Sequence, residues 1–228
     1  MTTSFSKLFL SFLLLLFANN IAAQDNFSSF LEPDISINLD RPNRWSFNFG
    51  LANRNGVYSG QETEFDTEFI ELSHFSSYEV GFYGKLSLGI RYRFNEMFNE
   101  RAHDEIRITQ QYSRSRNYNA LKIAHRFRFE QRLRSNTIYR TRYQFSVQIP
   151  LNGERVDQKE FFVKADTEAL YNFSKANKPG LSHRFGLALG RELNESITAD
   201  FGTEYRLDDY NLDPAHELFF VLGLTLSI

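Results

Sequence analysis

From Leu121 to Ile149 apolar and polar side chains change places at almost every step. Leu121, Ile123, Phe127, Phe129 and Leu133 fall on one face, and Lys122, Arg126, Arg128, Glu130 and Arg132 on the other. After a break at Arg134-Ser135-Asn136, Tyr139, Tyr143, Phe145, Val147 and Ile149 oppose Arg140, Arg142, Gln144, Ser146 and Gln148. A repeat of two belongs to a strand; on a helix the same residues would scatter the arginines around every face. The stretch predicts a β-hairpin with one large apolar face and one charged face.

The same alternation recurs along the chain, over residues 44–54, 85–95, 105–113, 160–171, 181–192, 197–207 and 217–228, and in blurred form over 65–75, where Phe69 and Ile70 are adjacent. The pattern predicts an all-β fold: a closed antiparallel up-and-down transmembrane β-barrel of about ten strands, with eight or twelve as the neighbouring counts because of the blurred strand. An even count puts both ends of residues 44–228 on one side. Residues 24–43 are polar, carry Pro33 and Pro42, and read as a periplasmic lead-in, with one extra edge pairing or a plug contact as its options. Before them, Lys7, the apolar run Leu8 to Phe17 and Ala22-Ala23 have the layout of a cleaved signal peptide over residues 1–23, with an apolar stretch too short to span a bilayer.

Two faces so different in character leave two architectures, a soluble lipid carrier with the apolar face inside or a membrane barrel with it outside. The glycines favour the second. Gly50, Gly89, Gly186, Gly190, Gly202 and Gly223 all fall on polar faces, where they make room for long side chains in a narrow lumen but would only weaken a solvated exterior. The apolar faces are uniformly bulky, and aromatic residues such as Trp45, Phe94, Tyr112, Tyr139, Tyr171 and Tyr205 cluster near strand ends, as interfacial girdles do.

Composition narrows the function. The formal charge of −2 gives no reason to expect nucleic acid as a partner. The absence of cysteine removes disulfides and thiol chemistry. No run after the signal peptide approaches the roughly 20 apolar residues of a transmembrane helix, so any membrane residence is by strands.

The stretch His125-Arg126-Phe127-Arg128-Phe129-Glu130-Gln131-Arg132, with Tyr139-Arg140-Thr141-Arg142-Tyr143, Ile149-Pro150-Leu151, Glu168 and His183-Arg184-Phe185-Gly186, resembles an uncharacterised domain family of small bacterial outer-membrane β-barrels, a domain of unknown function. The resemblance implies location in the bacterial outer membrane and carries no activity.

The main chemical feature is an expected lumen ion-pair network of Arg91, Arg93, Arg107, Arg126, Arg128, Glu130, Arg132, Arg140, Arg142, Glu168, Arg184 and Glu204, joined by Arg206, Glu105, Glu160, Asp166, Glu192 and Asp200. Buried in a closed barrel, such groups must pair, because an uncompensated charge costs several kcal/mol, on the order of 3–5. The network reads first as an electrostatic plug, then as a narrow selective pore, then as a ligand site. Ser73-His74 and Ser182-His183 are neighbours in sequence, but adjacent strand residues point to opposite faces, so neither pair forms a nucleophile and its base directly. His103 and His216 lack the spacing of a metal site and read as solvated. The expected function is an integral outer-membrane barrel of structural or narrow-pore type, without catalysis, cofactor or metal, in contact with outer-membrane lipid and with a small polar solute as the candidate lumen occupant. A lipid-modifying outer-membrane enzyme and a soluble periplasmic lipid-binding barrel are the alternatives.

Overall fold

A computed structural model describes residues 26–59, 62–63, 65–95, 103–153 and 156–228. The signal peptide expected at residues 1–23 lies outside them. Eleven strands close one barrel: β1 (Phe27–Asp40), β2 (Trp45–Ser59), β3 (Asp66–Val80), β4 (Gly84–Asn95), β5 (Glu105–Tyr118), β6 (Leu121–Leu133), β7 (Ile138–Pro150), β8 (Phe161–Ser174), β9 (Gly180–Glu192), β10 (Ile197–Asp208) and β11 (Ala215–Ser227). Each strand from β2 onward pairs antiparallel with its sequence neighbours, in an up-and-down meander. Closure is by β1, which pairs antiparallel with β2 and parallel with β11, Phe27 opposite His216 and Asn38 opposite Ser227.

The eleventh strand corrects the expectation for residues 24–43. Phe27–Asp40 is a full wall of the barrel, with neighbours on both sides. Pro33 argued against this because proline cannot donate to a ladder. Pairing with β2 lapses at Glu32 and Pro33, between Leu31–Asn55 and Asp34–Ala52, with the register unchanged, and there the Glu32 carboxylate takes a 2.8 Å hydrogen bond from Arg54 Nε in β2. Residues 45–227 hold ten strands with both ends at one rim, as expected for 44–228; the added β1 makes the count odd and sets Asn26 at the rim opposite Ile228. We call the rim at the start of β1 the upper rim and the opposite one the lower.

The blurred strand resolves as β3, whose inward positions are Phe69, Glu71, Ser73, Phe75 and Ser77. Phe75 turns into the lumen, the reverse of an apolar-outside assignment. It lies over Gly89, its cross-strand partner in β4, and Phe162 lies likewise over Gly190 in β9. The lumen glycines therefore serve the adjacent strand, not the opposite wall: an aromatic ring covers the gap that the glycine leaves in the sheet. A methyl group at Gly89 or Gly190 would overlap these rings.

Turns follow local chemistry. Asn119 and Ala120 alone join β5 to β6, with Asn119 at φ 51°, a left-handed conformation that asparagine tolerates. Gly81, at φ 64°, opens the three-residue connection from β3 to β4.

Burial runs opposite to that of a water-soluble domain. Among the described residues the buried hydrophobic side chains are Phe30, Phe69, Phe75, Phe162, Leu170 and Phe219, all on the lumen side, while Glu105, Glu130 and Thr109 are wholly enclosed. Outside, Leu88, Leu187, Phe185, Ile90, Phe201 and Phe127 are each at least half exposed.

Candidate functional site: the arginine-lined lumen

Because alternate residues of a strand share a face, one lumen-facing arginine or glutamate places the next two positions along beside it. Arg126, Arg128, Glu130 and Arg132 on β6 therefore form a column, met across the ladder by Arg140 and Arg142 on β7, with Arg128 opposite Arg142 and Glu130 opposite Arg140. All twelve residues of the expected network face the lumen, and eleven of them make ion pairs.

Glutamates act as hubs. Glu130, fully buried, accepts from Arg142 at 3.2 Å and lies 4.0 Å from Arg128. Arg142 continues to Glu168, which Arg126 approaches at 3.8 Å and Arg184 at 4.0 Å. Arg184 lies 3.8 Å from Glu204, and Glu204 pairs with Arg206, which reaches Glu32 at 3.7 Å. On the other side Glu105, also fully buried, accepts from Arg107, Arg132 and Arg134. Arg107 is 3.5 Å from Glu71, which also holds Arg93 at 2.7 Å and Arg91 at 3.4 Å. Among the described residues ion pairs thus involve every strand except β11. That strand contributes Phe219, with the guanidinium of Arg206 3.5 Å and that of Arg54 4.7 Å from its ring centre. Phe30 stacks on Phe219 at 4.8 Å, which ties β1 into the same layer.

Arg140 is the member that pairs with no carboxylate. Its Nε donates to Asn172 Oδ1 at 2.5 Å, and no acidic oxygen lies within 4 Å among the described residues. Glu160 sits outside the network, in the β7–β8 connection, where it accepts from the Asp157 backbone N–H. Asp166 takes a 2.8 Å bond from Gln144 and makes no ion pair among the described residues. Sequence reasoning missed Glu32, Arg54 and Glu71: the first because its strand was assigned to the lead-in, the last because β3 was blurred. Parity would have found Glu71, two residues from the inward Phe69 and Ser73.

The layer divides the lumen. A cavity of about 570 Å³ lies toward the lower rim beside β1–β3, and one of about 310 Å³ lies among the arginines. Glu32, Ala52, Glu71, Arg91 and Arg128 border both, so the partition there is one side chain thick.

Four of the five histidines each meet a hydroxyl on the outer surface: His74 with Ser76 at 3.0 Å, His125 with Tyr143 at 2.9 Å, His183 with Thr167 at 2.7 Å and His216 with Tyr205 at 2.5 Å, while among the described residues His103, exposed ahead of β5, offers only its backbone carbonyl to Asn95. His216 is thus paired, not simply solvated. His74 bonds Ser76, two residues on and on the same face, rather than the adjacent Ser73. Its Nδ1 is buried without a partner, so no third group orients the ring as a general base requires. Among the described residues no three His, Asp or Glu side chains converge as a metal site.

The model of one family, described as a protein of unknown function (DUF2490), matches residues 29–214. The chain belongs to this family. The DUF2490 match begins inside β1, so the family domain takes in the strand that closes the barrel. Among solved structures, the chain is similar to an anion-selective porin from Comamonas acidovorans, with 15% identity and a TM-score of 0.39, over 84% of this chain and 54% of that one. The chain thus spans about half the length of that porin. No curated protein matches.

Proposed function

We propose that this DUF2490 protein is an integral barrel of the bacterial outer membrane, of structural or narrow-pore type, with an ion-paired lumen and no catalytic role. The observation that carries the reading is the inverted burial: half-exposed Leu, Ile and Phe outside, enclosed Glu and Arg inside. In water the exterior would be a continuous apolar surface of a kind soluble monomers rarely expose; against lipid it is the matching solvent. Strands of 12 to 15 residues exceed the roughly 9–11 needed to cross the hydrocarbon region. A soluble lipid carrier needs an apolar cavity, and the lumen is walled by charge.

The thin partition between the two cavities favours a narrow pore over a solid plug. Reconstituted into planar bilayers in potassium chloride, the protein is expected to give small discrete conductance steps. A barrel that inserts and shows no conductance leaves the structural role alone. The His74–Ser76 contact motivates the competing enzymatic reading. Fatty-acid release from phospholipid by the wild type, abolished in Ser76→Ala, would establish that reading in place of ours.

A further inference from the structure

We propose that the arginine-walled chamber binds a small free oxyanion carrying two or more negative charges, of the phosphate or pyrophosphate class. Ten arginines border this cavity of about 310 Å³, against five carboxylates. Four further carboxylates, Glu68, Glu105, Glu130 and Glu168, pair with those arginines from behind, and Glu105 and Glu168 are shared with Arg134 and Arg126. Nine carboxylates against twelve arginines leave a formal excess of three positive charges in and behind the wall of one enclosed space. A buried charge without a counterion is costly, and the described residues supply none for this excess.

The excess is localised. Arg140 touches no carboxylate, and Arg184 comes no nearer than 3.8 Å to one. Arg184 and Arg142 are each more than nine-tenths buried, and the Nε of each has no hydrogen-bond partner among the described residues. Strands β7 and β9 thus present to one chamber guanidinium donors with unspent capacity. Their planar fork matches phosphate oxygens two at a time. The volume stands at the lower edge of the roughly 300–1,000 Å³ of small-molecule sites, which selects a compact ion. Chloride has one charge and no oxygen fork, and it meets neither requirement.

The inference deepens the narrow-pore reading and rests on the lumen being open to water. It is tested by calorimetric titration of the full chain, refolded in detergent, with sodium pyrophosphate. One-to-one saturable binding is expected, little affected by sodium chloride added at the same ionic strength. Arg140→Gln, which strands no carboxylate and so leaves the fold intact, should weaken binding about tenfold, as should Arg184→Gln. No saturable binding, wild-type affinity in both variants, or full displacement by chloride would overturn the proposal. Displacement by added anionic phospholipid would overturn it in favour of a lipid headgroup. Because detergent binding requires no passage and conductance in potassium chloride requires no pyrophosphate, the two readings fail separately: a conducting barrel blind to pyrophosphate loses only the site, and a silent one that binds it loses only the pore.

Discussion

Arg142 shows what an ion pair does in this lumen. Its two terminal nitrogens reach Glu130 and Glu168, both almost wholly buried, so its removal would leave two acids facing each other without a cation between them. Replacing a buried pair by apolar groups can be neutral, but removing one partner is not. Arg142→Ala is expected to destabilise the barrel by about 3–5 kcal/mol. Arg114, exposed on the outer face near the lower end of β5, makes no such contacts, and Arg114→Ala should leave the unfolding midpoint unchanged within error. Denaturant titration of the two variants in detergent compares them; equal midpoints would show that the lumen arginines are solvated. The same logic explains why the buried aromatics are not misplaced. Phe75 fills the gap over Gly89 and lies 5.3 Å below the guanidinium of Arg91, so it gives the cation a face as well as closing the sheet.

Among the strands, β1 is the exception: its seam with β11 is the parallel pairing in the barrel, and it was the least legible in the sequence. The hairpin of β6 and β7 announced itself through strict alternation with arginine on one face. The paired glycines and charges of β9 and β10 did the same. In β1 Pro33 interrupts the ladder, and in β3 the inward Phe69 and Phe75 reverse the apolar-outside rule. Neither exception can be read locally, since each is relieved by a partner remote in sequence: Arg54 for Glu32, and Gly89 for Phe75. The candidate network was legible to the extent that its residues lay on regular strands. Its hubs at Glu32 and Glu71 were hidden on the two irregular ones. The seam itself can be tested. Ser36 and Thr225 are Cα partners across it, with hydroxyl oxygens 3.0 Å apart, and the chain has no cysteine of its own. In the double variant Ser36→Cys, Thr225→Cys, mild oxidation should form an intramolecular disulfide, visible as a faster band of the fully denatured chain that reverts on reduction. A folded double variant that keeps two free thiols under oxidation would place β1 somewhere other than beside β11.

For the molecule as a whole, the orientation of the faces governs every other inference, because the lumen network acquires its meaning only if the opposite surface is in lipid. Phe127 is half exposed on the outer face of β6, between the inward Arg126 and Arg128 along the strand and opposite Tyr112 and Tyr143 across it. An arginine there would carry a cation to the lipid side, at a cost of about 2–4 kcal/mol near the bilayer midplane. Phe127→Arg is therefore expected to reduce insertion into preformed vesicles, whereas Gln144→Asn, a change of one methylene within the polar lumen, should insert as the wild type does. Loss of insertion alone would also follow from a general folding defect, so a second readout is needed. A fluorophore on a cysteine at position 127 should be quenched by lipid-borne quenchers and shielded from aqueous iodide, and one at Ser146, which faces the lumen, should escape lipid-borne quenching. A label at 127 that responds to iodide and ignores the lipid quencher would reverse the faces. With them would go the membrane location, the pore and the buried character of the arginine layer, since a barrel turned the other way has no reason to enclose its charges.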